Sequence, residues 1–132
     1  MDTYIVYSTE KYGIIKIKAS KDIETTAYGT AIKNLFNKLR DGLDNTYGDG
    51  IHLDYLRHGS IWTDADDWMY ALRNGDRVLT SYWFVNTDEG SYGIYLDATA
   101  EYSDEGSVEL SYESPMFEIA LNESSNLDNS VF

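Results

Sequence analysis

Residues 88–113 read DEGSYGIYLDATAEYSDEGSVELSYE. The tetrapeptide Asp-Glu-Gly-Ser occurs twice in this stretch, at positions 88–91 and 104–107, and alternating apolar and polar residues follow each copy. Period-two alternation marks a strand with one buried and one wet face, and a short Gly-containing cluster marks the reversal between strands. The stretch therefore predicts an antiparallel meander, with strands over 78–85, 92–102 and 108–112. Residues 116–121 are expected to form a fourth strand, set at an edge or bulge by Pro115, the single proline of the chain.

A three-residue loop at Asp104-Glu105-Gly106, with the glycine left-handed, fixes a register. Tyr102 then faces Val108, Ala100 faces Leu110 and Ala98 faces Tyr112. The other face pairs Glu101 with Glu109, Thr99 with Ser111 and Asp97 with Glu113. A one-residue slip would mix apolar and acidic side chains on both faces. The same loop at Asp88-Glu89-Gly90 sets Phe84 opposite Ile94, Tyr82 opposite Leu96 and Trp83 opposite Tyr95. Leu79, Trp83 and Val85 fit the core face as well, so this second register stays open.

No lysine or arginine lies between residues 78 and 132, which hold eleven carboxylates. Residues 1–40 carry seven basic and four acidic residues, net +3; residues 41–77 carry three and eight, net −5. The chain as a whole has net charge −13. Like charges directly opposite each other in a sheet cost about 0.2–1 kcal/mol per pair, and the register above contains two such pairs with no local cation. One face is thus expected to gather Asp88, Glu89, Asp97, Glu101, Asp104, Glu105, Glu109 and Glu113, with Trp83 and Tyr95 at its edge. Alternate positions on a strand stand ~6.8 Å apart, a spacing that phosphates along a nucleic-acid backbone can also show. A plain solvated sheet face accounts for polarity, though not for a single sign of charge.

Upstream, strands are expected at 4–7 and 13–19. A helix is expected over 22–40, where Ile23, Ala27, Ala31, Leu35 and Leu39 recur at four-residue steps. Ser20 would cap it and Gly42 would end it, placing Lys33, Lys38 and Arg40 toward its C-terminus. Residues 43–50 read as a loop and 51–56 as a strand. Thr63, with Asp66 in the capping-box position, opens a second helix that buries Trp68, Met69 and Leu72 and stops at Asn74-Gly75. The pattern is α+β: a mainly antiparallel sheet with a C-terminal meander and two helices packed on one face. One domain over 1–121 is expected, followed by a polar tail over 122–132.

Composition excludes several functions. With no cysteine, thiolate metal sites and cysteine nucleophiles are ruled out, and a reducing compartment fits. The N-terminus shows no signal-peptide pattern, and no apolar run approaches the ~18–20 residues of a membrane span. The negative charge disfavours direct binding to nucleic acid or anionic membrane. His52 and Asp54 form a His-x-Asp pair that could hold a metal only with further ligands from elsewhere in the chain, and the acidic stretches do not match a calcium loop. No nucleophile-elbow, phosphate-loop or dinucleotide motif occurs. No cofactor and no catalytic residues are therefore expected.

In size, charge and aromatic content the chain resembles the acidic DNA-mimic inhibitors of phages and mobile elements, of the anti-CRISPR and anti-restriction type. The resemblance extends over the chain as a whole and involves no motif. It implies a cytoplasmic, non-catalytic protein whose carboxylates occupy the phosphate sites of a basic nucleic-acid-binding partner, a CRISPR effector nuclease or a restriction enzyme. The alternative is an immunity protein that neutralises a cognate toxin such as a nuclease. A structural subunit would instead self-associate.

Overall fold

The computed structural model describes residues 2–123. Strands and helices follow in the order β1 (Thr3–Thr9), β2 (Gly13–Glu24), α1 (Thr30–Tyr47), β3 (Ile51–Leu56), α2 (Trp68–Asn74), β4 (Arg77–Thr87), β5 (Gly90–Ala100) and β6 (Glu105–Glu113). A single 3-10 turn, Ala65–Asp67, leads into α2. A short helix at residues 117–123, α3, closes the described chain. All strands join one antiparallel sheet ordered β1-β2-β6-β5-β4-β3. The fold is α+β, as the alternation implies, and β4-β5-β6 is the expected meander.

The β5–β6 register differs from expectation. Ala100 pairs with Gly106, Ala98 with Val108 and Leu96 with Leu110. The slide is even-numbered, so each side chain keeps its face. Its cause is Gly106, which belongs to the strand rather than the turn. A Cβ there would fall 2.3 Å from the Thr99 carbonyl oxygen and 2.6 Å from Ile32 Cδ1, so the glycine serves the close approach of α1 to the sheet. The reversal instead runs through residues 101–104, where the backbone N–H groups of Glu101 and Tyr102 both donate to the Glu105 carbonyl at 3.0 Å.

The β4–β5 hairpin corrects the other expected register by one residue. Thr87 pairs with Gly90 across a two-residue turn, Asp88-Glu89, and Trp83 pairs with Ile94. Gly90 takes the positive φ, +126°, that the turn needs. An odd slip flips a strand. Leu79, Ser81 and Trp83 therefore face the helices, and Tyr82 and Phe84 face outward.

The first helix begins eight residues later than expected and runs on through Gly42. Residues 20–24 are taken by pairing with β6, from Ser20 opposite Glu109 to Glu24 opposite Glu105, a partner that lies far away in sequence. Ser20 is thus a strand residue and no cap. Gly29, at φ +69°, lies against Trp68, and a Cβ there would meet the indole at 2.1 Å. Lys33 falls in the first turn, and the expected loop over 43–50 is helical to Tyr47. At the second helix the cap moves by one residue: the Asp64 N–H donates to Asp67 Oδ2 at 3.2 Å, in place of Thr63 and Asp66. Gly75 ends α2 in the left-handed conformation. Residues 117–123 are helical rather than a strand, with the Ala120 N–H donating to the Met116 carbonyl at 2.9 Å. This helix passes the expected domain end at 121; the rest of the expected tail, 124–132, lies outside the described residues.

Ile32, Phe36 and Leu43 of α1 and Trp68, Met69 and Leu72 of α2 pack on Leu79, Trp83, Ile94, Leu96, Ala98 and Val108 of the sheet. Helices α1 and α2 thus cover one face. Among the described residues the opposite face carries only α3, at one end. There a register shift between Tyr7 and Ser8 leaves Ile15 without a β1 partner, and Ile15 lines a cavity with Phe117 and Ala120.

Candidate functional site

The face opposite α1 and α2 is built from alternate residues of every strand. Register places Lys16, Lys18, Asp22 and Glu24 of β2 beside Glu113, Glu109 and Glu105 of β6. Next come Tyr95 and Asp97 of β5, then Phe84, Tyr82 and Thr80 of β4. Ile51, Leu53 and Tyr55 of the edge strand β3 complete the row. Of the expected site residues, Tyr95, Asp97, Glu105, Glu109 and Glu113 share this face.

The carboxylates at its centre are neutralised, contrary to expectation. Lys16 Nζ lies 3.3 Å from Glu113 Oε1, and Lys18 Nζ lies 3.3 Å from Glu109 Oε2. β5 and β6 have no cation of their own, but β2 delivers two at alternate positions. Neither expected like-charge pair forms. Asp97 stands opposite Glu109 instead and accepts a 2.6 Å hydrogen bond from the Thr80 hydroxyl. Burial, with a smaller contribution from Glu109, pushes the Asp97 carboxyl above its ordinary range; the Thr80 bond and Lys18 oppose this.

Charge stays uncompensated at the two ends. Glu24 lies directly opposite Glu105, with Asp22 two positions along the same face. Glu101 and Asp104 are exposed in the adjoining turn. None of these five carboxylates forms an ion pair among the described residues. Asp88 and Glu89 are exposed in the turn at the other end of β5, roughly 35 Å away at ~3.3 Å per residue. The expected continuous anionic face is therefore two acidic ends joined by a zwitterionic row.

Between the ends, toward β3 and β4, lies an aromatic cluster in which Tyr95 has its expected face, while Tyr82 and Phe84 lie opposite to the face that the three-residue loop would give them. Tyr82 and Phe84 meet edge to face at 5.7 Å between ring centroids, and Phe84 and Tyr95 at 6.4 Å and 88°. Phe84 is 57% exposed, as are Ile51 at 49% and Tyr55 at 50%. The signal lay in the two-residue turn, which decides which half of β4 is wet.

Trp83, expected at the edge of the acidic face, is 3% exposed and belongs to the core. Its indole N–H donates to Asp44 Oδ1 at 2.9 Å, and the Gly50 N–H donates to the same oxygen at 2.9 Å. Asp44 Oδ2 lies 3.0 Å from His52 Nε2, while His52 Nδ1 lies 2.7 Å from Ser81 Oγ. Burial pushes the Asp44 carboxyl upward, but the bonds from Gly50 and Trp83 and the His52 charge together hold it below its ordinary value. The serine–histidine–aspartate chain has the composition of a nucleophilic triad, but Ser81 is 0% exposed. No substrate reaches its hydroxyl in this conformation, and the network ties the end of α1 to β3 and β4. Asp54, the other half of the His-x-Asp pair, is engaged by Arg77 at 2.6 Å. Asp64, Asp66 and Asp67 lie close enough to share a cation, and capping accounts for Asp64 and Asp67.

No protein-family model, curated protein or solved structure matches the chain. No helix among the described residues is long and apolar enough to cross a membrane.

Proposed function

We propose that the chain is a non-catalytic inhibitor that docks its sheet face into the nucleic-acid-binding groove of a basic partner. The observation that carries this reading is the acidic end at Glu24, Glu101, Asp104 and Glu105. The same sheet sets lysines against Glu109 and Glu113, so cross-strand neutralisation is within its means. At Glu24 and Glu105 it sets like charges opposite each other, an arrangement that disfavours the free fold and favours a cationic partner. Two acidic ends one strand-length apart, with aromatics between them, match a groove lined by lysine and arginine that otherwise hold phosphates.

The partner class is the one that DNA mimics of phages and mobile elements occupy, a CRISPR effector nuclease or a restriction enzyme in the cytoplasm of a bacterial host. Inhibition would proceed by occlusion, with carboxylates in place of phosphates. The exposed Tyr82–Phe84–Tyr95 cluster favours a second reading, an immunity protein that holds a toxin through an aromatic core with acidic flanks. Competition separates the two. Under the first reading, duplex DNA or RNA displaces the chain from its partner in a pull-down at fixed salt. A complex indifferent to excess nucleic acid would remove the mimic reading and leave the immunity reading.

A further inference from the structure

A cavity of about 360 Å³ opens on the outer face, where β4, β5 and α3 meet. Phe84, Tyr95 and Phe117 supply aromatic walls, Glu113 and Glu118 supply carboxylates, and Gly93 lies among the lining residues. The glycine leaves room for the Tyr95 ring. A Cβ at Gly93 would lie 2.7 Å from both the Tyr95 ring and its hydroxyl, so its absence lets the ring lie back across the strand. The volume is at the small end of ligand pockets and suits one long side chain.

Three features of the lining select the charge of the occupant. Aromatic faces carry negative quadrupole potential, and Glu118 adds a full charge beside them, Glu113 being paired with Lys16. The Tyr95 hydroxyl is pushed above its ordinary value, first by burial and then by the negative charges of Glu113 and Glu118. The protein already places one cation against this wall: Lys16 Nζ lies 5.0 Å from the Phe117 ring centroid while pairing with Glu113. Lys16 lines the neighbouring cavity, and Phe117 lines both. Glu118 is exposed and forms no ion pair among the described residues.

We infer that this cavity is an anchor site for an arginine side chain, with the guanidinium stacked against Phe84 and Tyr95 and held at its edge by Glu118. Arginine is preferred to lysine because its planar, weakly hydrated head stacks on aromatic rings and bonds carboxylates in a fork. The inference deepens the docking reading, on which it rests for its biological partner: the basic groove would contribute one arginine that enters the aromatic end while others meet the acidic end.

The test uses the full chain and a defined probe, the tripeptide acetyl-Gly-Arg-Gly-amide, followed by NMR of the aromatic rings. The expected result is saturable shifts at Phe84, Tyr95 and Phe117. The citrulline peptide, of the same shape without charge, should give at least fivefold weaker binding, and the lysine peptide should bind more weakly than arginine. Phe84→Ala and Glu118→Gln should each weaken binding about two- to fivefold, the range of an exposed cation–π or ion-pair contact. Both sites are exposed, and an unchanged amide spectrum elsewhere verifies the fold. No shift, equal binding of citrulline, or lysine binding as tightly as arginine would overturn the inference. A failed titration alongside nucleic-acid-competitive partner binding would remove the anchor alone. A successful one with no such competition would remove the docking reading alone.

Discussion

Replacing Asp44 by alanine should cost about 2–3 kcal/mol. The carboxylate accepts from the Trp83 indole and the Gly50 backbone, both at 2.9 Å, and contacts His52 at 3.0 Å. Hydrogen bonds to a charged group contribute roughly 1.5–3 kcal/mol each, and an orphaned buried donor costs about 1–3. The bonds share one acceptor group, and about a quarter of the Asp44 side chain is exposed, which keeps the total near the value of one strong bond plus part of a second. For a domain of this length that corresponds to a fall in Tm of roughly 6–12 °C. Asp44→Asn keeps an acceptor and should lose about half as much. The pH dependence has a fixed sign. Because the folded carboxyl lies below its ordinary value, its contribution is complete above the unfolded value, about 3.9, and is lost as pH falls through the lower folded value. Urea unfolding followed by tryptophan fluorescence, at pH 7 and at successively lower pH, should show the wild-type advantage over Asp44→Ala shrinking below about pH 4. A cost under about 0.5 kcal/mol, the range of an unremarkable surface change, would refute the tether. So would a difference that does not vary with pH.

Asp97→Asn should stabilise the fold at neutral pH by about 0.2–1 kcal/mol, since it removes one member of a like-charge pair. Burial raises the folded carboxyl of Asp97, so the ionised group opposes folding above that value, and the variant's advantage should vanish as pH falls through the ordinary unfolded value; chemical denaturation at two pH values reads it. Gly29→Ala should cost about 2–4 kcal/mol, combining left-handed strain with overpacking against Trp68, and thermal melting measures it. A double-mutant cycle on Lys18 and Glu109 should return a coupling of about 0.5–1 kcal/mol that declines as salt rises.

The parts of the fold legible in the sequence were those governed by local pattern. The alternation after each Asp-Glu-Gly-Ser marked β5 and β6, and Asn74-Gly75 marked the end of α2. What stayed hidden depended on distant partners. Ile23 sits in a helical four-residue repeat, yet pairing with Gly106 claims it for β2. The acids of β6 looked unpaired because their lysines lie about ninety residues earlier. Trp83 could not be assigned a face until the turn at Asp88-Glu89 was known to hold two residues rather than three. Charge showed how acidic the face is, and register showed where that acidity survives.

The central claim is that the uncompensated end of the sheet meets a basic groove. Reversing Glu24, Glu101 and Asp104 together to lysine tests it most directly, because these positions touch neither the Lys16–Glu113 and Lys18–Glu109 pairs nor the core. Affinity for the captured partner, measured with the variant's Tm, should fall at least tenfold while Tm stays level or rises, since a like-charge pair has been relieved. Unchanged affinity with an intact fold would contradict the account.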